Sequence, residues 1–494
     1  MTKDNAVPRI STGVYGLNDI LHGGLPAGFV YLLEGDPGAG KTTLGLQFLI
    51  EGAKKGEKGL YVSLAETKRE LLQVAESHGF DLSAIEIGEI APPELASSPE
   101  QQYTVFHPAE VELADVMQSV LQKIRDSQPK RVVIDSMSEL RMLARDPLRY
   151  RRQVLSLKQF FTSYDCTTLL LDDRMGNTGE AQLRTVVHGV IALENLDREY
   201  GAIRRRMQVL KVRGSKFREG FHDYLLERGG LRVFPRLVSG EHMQPLLDRD
   251  PLPSGIAALD ELFGGGIARG TSTLVTGPSG AGKSTLCSKF VMSAADRGEN
   301  SAIFTFDEVR QSFIDRSAGL GIQLNKHLET GRIHLQQVDP AELSPGEFFH
   351  RIRQGVEERD WRLVVIDSLN GFTNSMAGEH SLTIQLHEVL SYLSHVGVTG
   401  FMVLAQHGLL GGNVSSPEDV SYLADNVLLL RYFEAGGAVR QALSVVKRRS
   451  GPHERTIREL IMTNGEVRVG DPLVGFEGVL TGHPRYLGGK IPLM

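Results

Sequence analysis

The chain has 494 residues, 41% of them hydrophobic, which is enough for two or three globular domains with ample cores. A formal net charge of −6 gives no support to a nucleic-acid-binding protein or to one bound at an anionic membrane. The 2 cysteines exclude a disulfide framework or a zinc cluster, and without an apolar signal or a membrane-spanning run we expect a soluble cytoplasmic protein.

The first informative element is a strand followed by a phosphate-binding loop and a helix. The apolar run FVYLLEG leads into GDPGAGKTTL (35–44), which fits G-x-x-x-x-G-K-[ST] and opens an amphipathic segment. Glycines let backbone N–H groups face phosphate oxygens, and the helix N-terminus adds positive potential. We expect Lys41 to reach the β- and γ-phosphates and Thr42 to place its hydroxyl on Mg²⁺. The expected nucleotide-binding residues are Gly35, Gly38, Gly40, Lys41, Thr42 and Thr43.

Two acids follow, each at the end of an apolar strand. Glu66 ends GLYVSLAE, where a carboxylate can orient or deprotonate an attacking water; the alternative is a charge that only stabilises a helix start. Asp135 ends RVVID, where it can hold Mg²⁺ directly or through water; the alternative is an ordinary helix N-cap. A further strand, TTLLLDD, follows.

A basic pair, Lys211 and Arg213, lies on the late strand QVLKVRG, far in sequence from the loop. Alternating basic residues on an edge strand usually form a solvated face. The other interpretation is a cation that reaches across from a neighbouring subunit and stabilises charge on the γ-phosphate, as arginine fingers do. That role implies a ring.

The polar stretch SGEHMQPLLDRDPLPSG separates this half from a second copy of it. Residues 11–35 align without gaps with 253–277, at an offset of 242 (277 − 35), which indicates a duplicated domain. We predict a first domain over residues 1–245 and a second over 246–494. The second loop, GPSGAGKSTL (277–286), predicts nucleotide contacts from Gly277, Gly280, Gly282, Lys283, Ser284 and Thr285.

The other functional elements also recur. FDEVRQSF carries Asp307 and Glu308, and Glu308 keeps the offset from Glu66, which favours a role in hydrolysis. The late basic pair recurs as Lys447 and Arg449. The expected Mg²⁺ ligands are Thr42 and Asp135 in the first copy and Ser284 and Asp367 in the second.

Apolar strands separated by helical patterns indicate an α/β fold. Each copy is expected to form a mostly parallel sheet covered by helices. Ligands of such sheets bind at the carboxyl ends of the strands, where all of these motifs fall.

This arrangement resembles the KaiC family, the ATPases and autokinases of the circadian clock. The resemblance rests on two phosphate loops, two VVIDS-type strand ends, two late K-x-R strands, and DNVLLLRYFE (425–434) followed by VVKRRSGPHERTIRELIM. It covers about residues 9–486 and implies two tandem RecA-like P-loop NTPase domains, ATP and Mg²⁺ as cofactors, and a hexameric double ring. The residues supplied in trans would then be Lys211, Arg213, Lys447 and Arg449.

The resemblance also implies autophosphorylation in the second domain. The family's adjacent serine and threonine acceptors match Ser421 and Tyr422, so only the serine is retained. In the first domain Ala65 replaces one acid of the family's glutamate pair. The implied partners are a signalling protein, such as a histidine kinase or a Kai-type regulator; neither nucleic acid nor membrane is expected.

Two other functions stay open. A RecA- or DnaB-type DNA-dependent ATPase needs basic, aromatic loops facing a central channel, and the segment 408–420 (GLLGGNVSSPEDV) is where such a loop could lie. A scaffold that ATP merely assembles, without kinase activity, fits the acid missing at Ala65.

Overall fold

The computed structural model describes residues 8–90, 108–174, 180–197, 201–242, 250–339, 341–375, 382–406, 420–480 and 484–487. The chain divides into two compact units, Met1–Arg236 and Leu237–Met494. The expected boundary between residues 245 and 246 falls in 243–249, outside the described residues, and stays a prediction.

The first unit alternates strands and helices and ends in antiparallel strands. Its helices are α1 (Leu17–Ile20), α2 (Lys41–Lys54), α3 (Lys68–His78), α4 (Pro108–Ser127), α5 (Met137–Ala144), α6 (Pro147–Ser163) and α7 (Glu180–Val186). Its strands are β1 (Arg9–Ile10), β2 (Leu25–Pro26), β3 (Val30–Gly35), β4 (Gly59–Ser63), β5 (Ile85–Glu89), β6 (Arg131–Asp135), β7 (Thr167–Asp173), β8 (Gly189–Leu196), β9 (Arg204–Val212), β10 (Phe221–Glu227) and β11 (Gly230–Phe234).

Among the described residues of this unit, 9 strands form one sheet in the order β11-β10-β9-β8-β3-β7-β6-β4-β5. The strands from β8 to β5 pair in parallel, whereas β9, β10 and β11 continue the sheet in antiparallel pairs. The register places Gly35, the last residue of β3, beside Asp173 and Leu193. The loop after β3 therefore begins where the carboxyl ends of its neighbours meet.

Alternate strand residues bury opposite faces of the sheet, as the period of two requires. Leu33 and Val133 pack on the face covered by α2, and Leu32 and Ile134 on the face covered by α4 and α6. Near-continuous apolar strands are thus explained by burial on both sides.

A buried cation ties three segments of the first unit together. Arg131 is 1% exposed, and its Nε donates to the Glu57 carboxylate at 2.5 Å. Its Nη1 donates to the carbonyl oxygens of Ser11 (2.7 Å) and Phe48 (2.9 Å). These acceptors offset the cost of burying the charge.

The second unit repeats the plan. Its helices are α8 (Ala257–Leu262), α9 (Lys283–Asp296), α10 (Arg310–Gly319), α11 (Asn325–Glu329), α12 (Pro345–Arg359), α13 (Leu369–Ser375) and α14 (Leu382–His395). Its strands are β12 (Ser272–Gly277), β13 (Asn300–Thr305), β14 (Ile333–Gln337), β15 (Trp361–Asp367), β16 (Thr399–Ala405), β17 (Asn426–Ala435), β18 (Ala438–Arg448), β19 (Arg458–Thr463), β20 (Glu466–Pro472), β21 (Phe476–Glu477) and β22 (Arg485–Tyr486). Short 3₁₀ turns cover Ser239–His242 and Val420–Tyr422.

The sheet of the second unit runs β14-β13-β15-β16-β12-β17-β18-β19-β20, the same arrangement element by element. The predicted fold class, two α/β domains each with a mostly parallel sheet covered by helices, is confirmed. The expected edge position of the strands that carry the basic pairs is wrong, because β9 lies between β8 and β10, and β18 lies between β17 and β19. None of the helices in the described stretches combines the length and apolarity needed to cross a membrane.

Candidate nucleotide-binding sites

The first phosphate loop joins β3 to α2 at the carboxyl edge of its sheet. Gly40 directly precedes the helix with φ 92°, a left-handed conformation that side chains disfavour. Lys41 Nζ donates to the carbonyl oxygens of Gly35 (2.9 Å) and Asp36 (3.0 Å) and lies 2.9 Å from the Asp173 carboxylate. The ammonium group is therefore held over the loop, from where it can meet phosphate oxygens.

The antiparallel strands brace this loop. Tyr224 in β10 donates its hydroxyl to the carbonyl oxygen of Ala39 at 2.7 Å. A Cβ on Gly40 would lie 3.2 Å from the Leu231 side chain in β11, so the hairpin packs closely on the loop. In the second unit the tyrosine comes instead from β17, the strand that pairs in parallel with β12: Tyr432 donates its hydroxyl to the Ser279 carbonyl at 3.0 Å. The loop shape is thus fixed by contacts outside the motif itself.

Asp135 lies directly beside the first loop. Its Oδ2 accepts hydrogen bonds from the hydroxyls of Thr42 (2.9 Å) and Tyr61 (2.5 Å). Burial raises the pKa of Asp135, although both hydrogen bonds oppose the rise. The N-cap position of α5 belongs to Ser136, so Asp135 is not the helix cap.

Glu66 lies between β4 and α3. The capping box at this helix start belongs to Thr67 and Glu70, so Glu66 is not a capping residue. Partial burial, with the negative charges of Asp135 and Glu70, raises the pKa of Glu66 above its ordinary value. Within the described part of the chain its carboxylate makes no ion pair. A carboxylate with raised proton affinity and no bound cation suits a general base.

The second loop has a similar backbone with a more enclosed lysine. Gly282 precedes α9 with φ 100°. Lys283 is 7% exposed, and its Nζ donates to the carbonyl oxygen of Gly277 at 3.0 Å and to the next carbonyl at 2.6 Å. Burial lowers the pKa of Lys283. Ala405 stands where the first copy has Asp173, so this lysine lacks the carboxylate that its counterpart contacts.

The acidic side chains of the second site have more polar partners than the Glu66 carboxylate has. Burial raises the pKa of Asp367, while the nearby Ser284 hydroxyl lowers it in part. Asp307 accepts a hydrogen bond from the Ser368 hydroxyl.

The other candidate base, Glu308, is bound at both carboxylate oxygens by one arginine. Arg316 Nε donates to Oε1 at 3.1 Å, and its Nη2 donates to Oε2 at 2.8 Å. In the structure this carboxylate is therefore the acid of an ion pair, unlike its counterpart in the first copy.

The late cations lie away from the loop of their own unit. Lys211 pairs with Val190 at the beginning of β8, and its Nζ donates to the carbonyl oxygen of Arg184. The Arg213 guanidinium donates to the carbonyl oxygen of Thr185. Both contacts are at the amino end of β8, whereas the phosphate loop is at the carboxyl end of the parallel strand β3.

The second unit repeats this contact around the expected phosphoacceptor. Lys447 Nζ donates to the carbonyl oxygen of Ser421 at 2.8 Å, and the Arg449 guanidinium donates to that of Tyr422 at 2.9 Å. Ser421 is half-buried in its 3₁₀ turn, and the Tyr422 side chain is exposed. Neither cation pair is brought to the loop of its own unit.

The paired hydroxyl and carboxylate oxygens suit a magnesium ion. The Thr42 hydroxyl donates to Asp135 in the first site, and in the second the Ser284 hydroxyl is close enough to Asp367 to lower the pKa of its carboxyl group. These oxygen ligands are the kind that Mg²⁺ prefers, and Mg²⁺ binds few protein groups when phosphates supply the rest. The buried Lys283 ammonium, bonded only to loop carbonyls among the described residues, fits an adjacent phosphate.

Four polar residues at these sites were missed by sequence reasoning. Asp173 ends its strand as Asp135 does, so the same strand-end rule could have found it. Tyr61, Ser368 and Arg316 carry no motif signal, because the partners of the first two are distant in sequence and the partner of Arg316 lies in the turn before its helix. Nearly all of the segment 408–420, where a DNA-binding loop could lie, is outside the described residues.

A sequence model of the family described as "ATPase: KaiC" matches residues 10–238 and 252–474 of this chain. The "Circadian clock oscillator protein KaiC" of Parathermosynechococcus lividus is 28% identical over 485 residues, spanning 97% of this chain and 88% of that protein. The protein of the same name from Picosynechococcus sp. is 27% identical, with 97% and 92% covered. That from Synechococcus elongatus is 24% identical, with 98% and 93% covered.

Proposed function

The chain belongs to the KaiC family of ATPases, and on that premise we propose that it binds Mg-ATP at both phosphate loops and hydrolyses it in a homohexamer. The observation that carries the proposal is the position of the late cations at the strand ends away from the loop of their own unit. A cation placed there does not reach the nucleotide of its own unit, and a closed ring would bring it to the nucleotide on a neighbouring copy. The residues supplied in trans are Lys211, Arg213, Lys447 and Arg449.

In each site the chain's own groups have separate tasks. The loop lysines hold the β- and γ-phosphates, and the loop hydroxyls with Asp135 and Asp367 hold the magnesium ion. Bound Mg²⁺ neutralises charge on the phosphates. Glu66 accepts a proton from water as the water oxygen bonds to the γ-phosphorus and the bond to the bridging oxygen breaks, releasing ADP. Asp307 and Glu308 are the candidates for this step in the second domain.

The second domain also transfers phosphate to Ser421 of an adjacent copy. The carbonyl oxygen of Ser421 accepts a hydrogen bond from Lys447. If Lys447 contacts the γ-phosphate on a neighbouring copy, Ser421 therefore lies close to that phosphate as well. The serine oxygen bonds to the γ-phosphorus, ADP leaves, and the hydroxyl proton passes to Asp307 or Glu308 of the neighbouring copy. The product would suit a signalling role, with a histidine kinase or a Kai-type regulator as the partner.

Phosphopeptide mapping after incubation with Mg-ATP tests the kinase activity. We expect phosphate within residues 412–426 of the wild-type chain and its loss in Ser421→Ala. Tyr422→Phe is the matched control, since it removes the adjacent hydroxyl and should retain the phosphate. Lys283→Ala should abolish it, because the second loop supplies the nucleotide. If the wild-type segment stays free of phosphate, the protein is an ATPase without this kinase activity.

A further inference from the structure

We propose that Arg316 restrains Glu308 and so slows ATP hydrolysis in the second domain, a restraint that the first domain lacks. The inference rests on the hydrolysis proposed above and adds a residue that sets its rate in one domain only. It follows from the ion pair at Glu308, from a second contact that fixes the arginine, and from the duplicated sequence.

Arg316 lies in α10, 8 residues after Glu308, which precedes the helix. Both carboxylate oxygens of Glu308 accept hydrogen bonds from this one guanidinium. The remaining nitrogen, Nη1, donates to the Thr285 hydroxyl in the first turn of α9 at 3.3 Å. The guanidinium also lies over the Phe313 ring, 4.8 Å from its centre. The arginine is thus held in one position, with the candidate base attached to it.

A carboxylate in this state is a poor base for water. A planar guanidinium that binds both oxygens occupies the lone pairs that a water proton needs. Glu308 has to release at least one of these hydrogen bonds before it accepts a proton. The neighbouring acid, Asp307, is itself engaged by Ser368. In the resting second domain, therefore, both candidate bases are held by a hydrogen-bonding partner.

The first copy provides an internal comparison. At the offset of 242 that relates Glu66 to Glu308, Arg316 corresponds to Val74 (316 − 242), a half-buried residue packed against the core. The link from this helix to the loop helix is still present, because His78 Nε2 lies 3.1 Å from the Thr43 hydroxyl. Both copies thus connect the two helices, but only the second includes the candidate base in the connection.

Steady-state ATP hydrolysis by the full-length chain carrying Lys41→Ala, in which only the second loop is intact, tests the inference. Arg316→Val, the residue of the first copy, should raise kcat about five-fold with KM unchanged. This is the effect of losing ~1 kcal/mol, the upper range for a pair of this exposure. Arg316→Lys should give a smaller rise, since an ammonium group engages a carboxylate at one point. Arg310→Val removes a cation from the same helix without a hydrogen bond to Glu308 and should leave kcat unchanged.

A second background shows whether the effect passes through Glu308. In Glu308→Gln the same Arg316→Val change should give no rise, because no carboxylate remains to be released. An unchanged or lower kcat in Arg316→Val, a higher KM, or a rise that persists with Glu308→Gln would overturn the inference. If the Lys41→Ala parent hydrolyses ATP but Arg316→Val does not raise its kcat, only the proposed restraint is overturned. If neither the Lys41→Ala parent nor its Arg316→Val variant hydrolyses ATP, the restraint and the proposed hydrolysis in the second domain are both overturned.

Discussion

Replacing Glu66 by glutamine should remove the general base of the first domain while leaving its nucleotide site intact. Glutamine has nearly the same shape, and the Glu66 carboxylate makes no ion pair in the described part of the chain, so no charged partner is left behind. The capping contacts of α3 belong to Thr67 and Glu70 and persist. The loss should therefore be confined to proton transfer.

General-base assistance contributes typically ~10²–10⁴-fold, so first-domain kcat should fall by that factor. This corresponds to about 3–5 kcal/mol of activation free energy. The KM for ATP should change little, because Lys41 and Thr42 remain. The base acts in its deprotonated form, and the pKa of Glu66 is raised. Wild-type kcat should therefore rise with pH through an apparent pKa above the ordinary value of 4.5, and this rise should disappear in Glu66→Gln.

The assay is ADP release by the full-length chain carrying Lys283→Ala, so that only the first loop supports turnover. Glu66→Asp is the matched variant, since it keeps a carboxylate but withdraws it from the water and should retain part of the rate. A fall of less than ten-fold in Glu66→Gln, with the pH dependence preserved, would refute the assignment.

Three further outcomes follow from the geometry. Lys41→Ala and Lys283→Ala should each weaken nucleotide binding in their own domain by ~10–100-fold, measured by fluorescent-nucleotide titration, because a charge-assisted contact is lost; equal affinities before and after would contradict this. Tyr61→Phe removes a hydrogen bond to Asp135 and should raise the Mg²⁺ concentration for half-maximal first-domain turnover about ten-fold, with no change in the second domain. Arg131→Met should lower the free energy of unfolding by ~2–4 kcal/mol in urea denaturation, because two backbone carbonyls lose their donor.

The parallel part of both sheets could be predicted from sequence because each strand is a continuous apolar run. Because both faces of these strands are buried, nearly every position must be apolar, so the segments RVVID and RLVVID predict β6 and β15 directly. The two phosphate-binding loops could also be predicted, because the positive φ at Gly40 and Gly282 requires glycine at a fixed position of the motif. Local constraints of this kind can be recognised from a few consecutive residues.

Contacts across the fold could not be predicted in the same way. The hairpins β10–β11 and β19–β20 extend each sheet beyond the basic pairs, and their strands alternate polar and apolar residues as any exposed hairpin does. Tyr61 reaches Asp135 only because β4 and β6 are neighbours in the sheet. Arg316 reaches Glu308 only through the turn between β13 and α10. Such contacts depend on how the chain folds, and no fixed sequence spacing predicts them.

Two nucleotides per chain, bound within a ring of copies, are the central claim, and native mass spectrometry of the full-length chain tests both parts at once. With Mg-ATP we expect a hexamer that carries two nucleotides per chain, and without nucleotide we expect smaller species. A double variant, Arg213→Ala with Arg449→Ala, should retain nucleotide binding but assemble or hydrolyse poorly, since both cations act on a neighbouring copy. Monomers that bind two nucleotides in the presence of Mg-ATP would contradict the trans role of these cations and the ring with it.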